Sequence, residues 1–361
     1  MLLDDFDYPL PPGLIAQEPL AERDASRLMT LDGLTGEVGH RAMGDLPALL
    51  RPGDLLVVND TRVLACRLRG RRASPGTGGR VEALLLEKQP GRGSEGGELW
   101  TAMARGAGGP GDLLDLGPGL RARVAGRDGE LHLLELLAAG GAAGVAEAVE
   151  RAGSMPLPPY IRREPGDRRD PVDRERYQSI FAAVPGAVAA PTASLHFTPR
   201  LVERLRGRGV LLESLTLHVG PGTFQSLRSQ HIEDHRLRPE WCKVPQRLAA
   251  AVREARARGG RVVAVGTTVT RTLEGRAAPG RTVRAGEGAC DLFILPGHRF
   301  QVVDALLTNF HLPRSTLLML VCAFSGTGRV LQAYREAVRR GYRFYSYGDA
   351  MLASPGAERA A

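Results

Sequence analysis

Apolar runs that end in polar turns recur along this chain. In "GDLLVVNDTRVL" the run Leu55 to Val58 meets Asn59-Asp60, a turn pair, and then resumes, which predicts strand, turn and strand. From Arg62 to about Leu137 the runs shorten and glycine separates them: "RVEALLLEK", "ELWTAMA", "LRARVAG" and "ELHLLELL". Asp128-Gly129 between the last two is a hairpin signal, so this stretch predicts a small antiparallel β domain, a barrel. "AAGVAEAVERAG" then predicts one helix, and the proline-rich "MPLPPYIRREP" a return linker.

Beyond the linker, helix and strand patterns alternate. Thr198 is an N-cap candidate with Pro199 at the first helical position, followed by the helix "RLVERLRG" and the strand-like "VLLESLTLHV". "PQRLAAAVREARARGG" is an amphipathic helix, "RVVAVG" a buried strand, and Gly266-Thr267-Thr268 opens a further helix. "DLFILPG", the helices "STLLMLVCAF" and "RVLQAYREAVRRG", and a strand "YRFYSYG" complete the series. Such alternation predicts the α/β class: a layered α/β main domain with a mainly parallel sheet, residues 1–61 and 151–361, carrying an inserted small antiparallel β-barrel domain, residues 62–150. A length of 361 residues suits two cores.

Composition narrows the function classes. The four cysteines, Cys66, Cys242, Cys290 and Cys322, form no C-x-x-C pair, against a zinc site or a disulfide framework. The acidic, proline-broken start and the shortness of "TLLMLVCAF" predict neither export signal nor membrane anchor, hence a cytoplasmic protein. The net charge of +8 suits a nucleic-acid partner, yet Lys88 and Lys243 are the only lysines, and so arginine-rich a composition reflects coding bias as readily as function. "RLRGRRASPGTGGR" places five arginines in what reads as a Gly/Pro-rich loop, a solvated loop or a phosphate contact; "IRREPGDRRDPVDRER" interleaves six arginines with five acids and reads as an ion-paired surface segment.

Candidate chemistry gathers at the ends of the apolar runs. His196, His218 and His311 each close such a run before a turn, where α/β folds place their sites. For any one of them a ring satisfied by backbone is the plainer reading. "VAVGTTVTRTLE" runs a buried strand into Thr267 and Thr268 at a helix start, offering free N–H groups to a carboxylate or phosphate, with Arg271 in reach; equally, a threonine could be a mere N-cap and Arg271 a surface residue. Asn59 and Asp60 are turn formers or ligands for hydroxyls and amines. P-loop, zincin, nucleophile-elbow and dinucleotide fingerprints are absent, and His231 and His235 lack a third ligand, so no metal is expected.

Taken together, "LIAQEPLAERDASRLM", "PGDLLVVNDTRVLACRL", "MPLPPYIRRE", "RYQSIFAAVPGAVAAPTASLHFT", "TLHVGPGTF", "VVAVGTTVTRTLE", "VVDALLTNFHLPRSTLLMLV" and "YRFYSYGDAMLA" resemble, in order, the S-adenosylmethionine:tRNA ribosyltransferase-isomerase family of queuosine biosynthesis. Ser194 and Pro221 stand where the family pattern carries glycine and an apolar residue. The resemblance implies an α/β domain with an inserted barrel, and a transferase that modifies tRNA. It would move the ribosyl part of S-adenosylmethionine onto 7-aminomethyl-7-deazaguanine at the wobble position and isomerise it, giving epoxyqueuosine, adenine and methionine. S-adenosylmethionine would serve as substrate, with no prosthetic group, metal or membrane partner.

In the implied chemistry a base removes a ribose 5′ proton acidified by the sulfonium, adenine leaves, the aminomethyl nitrogen attacks the unsaturated sugar, and epoxide closure expels methionine. On this resemblance His196 and His218 are expected at the reacting centre as base and acid, in either order, with Asp234 and His235 in reserve. Thr267, Thr268 and Arg271 would hold the methionine carboxylate; Asn59, Asp60 and Arg62 would contact ribose or target base; Asn309 and His311 would line the same crevice. Arg67, Arg69, Arg71, Arg72, Arg162 and Arg163 would contact tRNA. Two rivals are a related enzyme using S-adenosylmethionine on another amine and a non-catalytic tRNA-binding protein.

Overall fold

The computed structural model describes residues 1–73, 78–93, 96–164, 166–220, 230–232, 235 and 237–357. Among these a nine-stranded mixed sheet runs in the order Gly286–Cys290, Glu240–Val244, Leu211–Leu217, Leu55–Asn59, Val262–Val265, Ala305–Asn309, Ala350–Ala353, Arg27–Leu31, Val38–Ala42. The strands beginning at Leu211, Leu55, Val262 and Ala305 are mutually parallel; antiparallel pairs flank them, except that Ala350–Ala353 and Arg27–Leu31 pair in parallel. Every residue of Leu55–Asn59 is buried. Alternation sends Leu55 and Val57 into one core, with Val252, Val269 and Leu318, and Leu56 and Val58 into another, with Phe197, Leu201 and Leu205. That continuous apolar run is what a strand covered by helices on both faces requires.

The expected cap at Thr198 forms, and Ser315 supplies a second. Thr198 Oγ1 accepts from the Leu201 N–H to open Pro199–Gly207, and Ser315 Oγ accepts from the Leu318 N–H to open Thr316–Ser325. That apolar helix is buried from Leu318 to Ser325, and Gly326, at φ 87°, separates it from Thr327–Arg339. Among the described residues no single helix is long and apolar enough to cross a membrane.

Six antiparallel strands, Arg67–Arg72, Arg80–Arg92, Glu98–Arg105, Leu113–Asp115, Leu120–Asp128 and Leu131–Ala138, close the barrel around Leu68, Val81, Ala102, Ala122 and Leu134. The Asp128-Gly129 hairpin is present, with Gly129 at φ 56°. Two expectations need correction. The arginines at 67 to 72 lie in a barrel strand and not in a loop: Leu68 points inward, and Gly70 packs where a Cβ would stand 1.9 Å from the Asp115 carbonyl oxygen. "YRFYSYG" buries Tyr342 and Phe344 alternately as a strand would, yet Tyr345 sits at φ 74° and the strand begins later, at Ala350.

Candidate active site

Parallel strands bring their carboxyl ends to one edge of a sheet, where the following loops frame a crevice. Here those ends are Asn59, Leu217, Val265 and Asn309. Two cavities meet at this edge. A cleft of ≈610 Å3 lies between sheet and barrel, lined by His218, Arg271, Glu240 and Trp241 on one side and Lys88, Glu98 and Trp100 on the other. A polar cavity of ≈50 Å3 lies beside it under Thr267, Thr268, Thr308 and Asn309, and both are lined by Val219 and Leu317.

His218 directly follows its strand and reaches the cleft half-buried. Its Nδ1 lies 2.8 Å from Thr61 Oγ1, and its ring stacks on Trp241 with centroids 4.9 Å apart at 20°. Burial outweighs the nearby Asp60 carboxylate and holds its pKa below the ordinary imidazole value, so the ring is neutral at pH 7. Tied at one nitrogen, such a ring can give or take a proton at the other.

Gly266, at φ 96°, turns the chain from Val265 into the helix Thr267–Gly275 and is itself the N-cap residue, so Thr267 and Thr268 belong to the first turn and are not caps. Their N–H groups and the helix dipole suit an anion. The resolved cavity here has room for a carboxylate but not for a nucleoside.

Several expected ligands are committed elsewhere. Asn59, fully buried, donates Nδ2–H to the Leu217 carbonyl and accepts from the Thr61 and Leu217 N–H groups, tying two strands together. Asp60 accepts from the hydroxyls of Ser214 and Thr216 at 2.8 and 2.7 Å. Arg271 reaches the cleft buried and already bonded, at 2.5 Å to Glu240 and to the Leu292 carbonyl at 2.9 Å, rather than standing ready for a carboxylate. Arg62 is exposed on Thr61–Val63.

The three histidines are not three strand ends. His196 lies on the 3-10 turn Thr192–His196 and faces a separate cavity of ≈30 Å3 with Arg23 and Ser26, so the structure does not bring it to one reacting centre with His218. Its Nδ1 is 2.7 Å from Ser26 Oγ and its Nε2 3.2 Å from Asn309 Nδ2. Burial lowers its pKa to about 4, and that of His311 to about 3. His311 lines the small cavity, its Nε2 2.9 Å from Thr308 Oγ1. His235 packs edge-on against Phe293, a cleft residue, at 5.7 Å. Asp234 and Pro221 lie outside the described residues.

The arginines divide likewise. Arg67 pairs with Glu82, Arg72 donates to the Gly106 carbonyl, and Arg163 is buried against Asp173 at 2.6 Å, a strut and not an RNA contact. Arg71 and Arg162 are exposed and Arg69 half-buried. The ion-paired reading of "IRREPGDRRDPVDRER" is seen in Arg163–Asp173, Arg169–Asp167 and Arg174–Asp170.

Sequence reasoning missed Trp241, the barrel wall of Lys88, Glu98 and Trp100, and the pair Tyr160–Ser346, hydroxyls 2.6 Å apart, beside the small cavity. Trp241 left a signal: in "EWCKV" Cys242 and Val244 alternate inward, which puts an indole on the outer face with Lys243. The barrel wall left none, since its partners lie far away in sequence.

Residues 3–353 match the family described as queuosine biosynthesis protein. An S-adenosylmethionine:tRNA ribosyltransferase-isomerase of Anaeromyxobacter sp. (strain Fw109-5) is 56% identical over 355 residues, covering 98% of this chain and 99% of that protein. One of the same name from Geotalea uraniireducens (strain Rf4) is 52% identical with the same coverage. The crystal structure of an S-adenosylmethionine tRNA ribosyltransferase from Thermotoga maritima is 38% identical, covers 97% of this chain and 99% of its own, and superposes with a TM-score of 0.54. Matched from end to end by relatives of one name, this chain belongs to the queuosine biosynthesis protein family.

Proposed function

We propose that this protein is an S-adenosylmethionine:tRNA ribosyltransferase-isomerase that modifies 7-aminomethyl-7-deazaguanine in tRNA to epoxyqueuosine, with adenine and methionine released. The observation that carries the site assignment is the meeting, at one sheet edge, of a large aromatic-lined cleft with a small polar cavity under a helix N-terminus. S-adenosylmethionine has that division of shape: a small charged amino-acid end and a large flat nucleoside. The methionine carboxylate sits on the first-turn N–H groups of Thr267 and Thr268, while ribose, adenine and the incoming base share the cleft.

His218 is the proton-handling group of this reading, because it alone of the expected histidines lines the large cleft. A neutral imidazole can take the ribose 5′ proton as base and return it to departing adenine as acid, and low polarity around the ring keeps it unprotonated. Division of the chain at 61/62 and 150/151 makes the barrel a separate wall of the cleft, with Arg69, Arg71 and Arg162 available to phosphates. The test is incubation of the protein with S-adenosylmethionine and tRNA carrying 7-aminomethyl-7-deazaguanine. Epoxyqueuosine with equimolar adenine is the expected result; a folded protein giving neither overturns the proposal.

A further inference from the structure

Hydrogen-bond directions around Asn309 admit one assignment. Its Nδ2 lies 3.0 Å from the Tyr345 carbonyl oxygen, which can only accept, so the amide orientation is fixed. The second Nδ2 proton therefore points at His196 Nε2, 3.2 Å away, which must be a lone pair. The ring proton is then on Nδ1 and is donated to Ser26 Oγ at 2.7 Å, leaving the serine proton for the Arg23 carbonyl at 3.3 Å. Each donor in this chain meets an acceptor only if His196 is neutral. Burial, which depresses its pKa, acts in the same direction.

What remains is Asn309 Oδ1, buried and, among the described residues, without a partner, on a residue that is 2% exposed and lines the small cavity. A buried acceptor left unpaired costs free energy unless a ligand supplies the donor. The same cavity is lined by Thr267 and Thr268, whose N–H groups belong to the first turn of the helix Thr267–Gly275. Among the described residues lining this cavity there is no Asp, Glu, Lys or Arg. A phosphate would bring net charge that nothing here balances, and would set its oxygens against an acceptor. A group carrying both charges and no net charge suits the cavity: its anion meets the helix N-terminus and its cation the amide oxygen.

We infer that the small cavity is an α-amino acid site in which Asn309 Oδ1 accepts from the ligand's ammonium while the helix N-terminus binds its carboxylate, and that His196 is the positioning residue that holds the amide. The inference rests on the reading of this cavity as the methionine end of the S-adenosylmethionine site. It replaces an expected acid–base role for His196 with a purely orienting one.

The test is calorimetric binding of S-adenosylmethionine and of its analogue lacking the α-amino group. Wild-type protein is expected to prefer S-adenosylmethionine by about tenfold or more, as a site built to receive a donor rejects a ligand without one. Asn309→Leu should bring the two affinities within about twofold, and His196→Ala should do the same without touching the ligand. A merely structural role would weaken both ligands alike and leave the ratio unchanged. The comparison on wild-type protein needs no variant to fold: equal binding of the two ligands overturns the inference and leaves the cavity assignment standing. Absence of S-adenosylmethionine binding altogether overturns the assignment and the inference with it.

Discussion

Gly186→Ala tests whether His218 acts from where it lies. Gly186 sits in the strand Val184–Ala187, at a register shift against Thr61–Val63, with φ 149°, a conformation that L residues rarely adopt. A Cβ there would stand 2.6 Å from His218 Nε2, 2.7 Å from Cε1 and 2.8 Å from Cδ2, inside contact distance along the ring. The imidazole is tied to Thr61 Oγ1 at 2.8 Å and stacked on Trp241, so moving it costs that hydrogen bond or that stack. Backbone strain of about 1–3 kcal/mol and a hydrogen bond of about 0.5–1.5 kcal/mol give a stability loss of about 2–4 kcal/mol, read from the urea midpoint. Turnover, followed by adenine release from S-adenosylmethionine with the substrate tRNA, should fall by about 10²–10⁴-fold, the usual contribution of a positioned acid or base. His218→Ala should fall as far, and the double variant no further, because both changes remove one group. Wild-type turnover in folded Gly186→Ala, or losses that multiply in the double variant, would refute the assignment.

Other expectations follow from buried polar groups and charge. Glu274 accepts from the N–H groups of Gln301, Val302 and Val303 at 2.7, 3.0 and 2.9 Å, so Glu274→Ala strands three donors and should cost about 3–6 kcal/mol; a calorimetric melt showing under about 1 kcal/mol contradicts this account. Burial lowers the pKa values of His40, His132, His196, His218, His235 and His311, so the unfolded chain binds more protons and stability must fall as pH drops through about 6.5. At pH 5, His196 and His311, with folded values near 4 and 3, should each cost about 2 kcal/mol relative to pH 8; a flat urea midpoint between pH 8 and 5 excludes it. Arg69→Ala with Arg71→Ala should shallow the salt dependence of tRNA binding by about 0.7–0.9 per lost phosphate contact. Arg163→Ala, which removes a buried strut, should leave that slope alone.

Legibility followed the range of the interaction. The caps at Thr198 and Ser315 bond residues three positions ahead, and the one at Thr198 was read from the sequence. Short apolar runs separated by glycine revealed the longer barrel strands, but Arg67–Arg72 hid behind its outward arginines because only Leu68 fills its inner face and Gly70 makes room for Asp115. The aromatic alternation of "YRFYSYG" misled for a related reason. Tyr342 and Phe344 pack on Phe310, at 5.4 and 5.1 Å, and that packing buries alternate rings without any ladder. The site was legible only as far as strand ends: His218, Thr267, Thr268 and Asn309 follow or close strands and do reach the two cavities.

Residue type alone could not sort that edge into site and scaffold, and the physical reason is hydrogen-bond capacity. A polar side chain at the end of a buried strand must be satisfied, and partners from distant segments satisfy many of them. Asn59 spends its amide on Leu217 and Thr61, Asp60 takes two hydroxyls more than 150 positions away, and Arg271 closes on Glu240. These residues pin the loops and have little left for a ligand. Among the described residues, capacity remains where no partner is supplied: the first-turn N–H groups at Thr267 and Thr268, the second nitrogen of His218, and Asn309 Oδ1. Each of these lines one of the two cavities that meet at Val219 and Leu317. Unspent capacity on residues that line these cavities, more than the presence of a histidine or an arginine, is therefore what the proposed substrate site rests on.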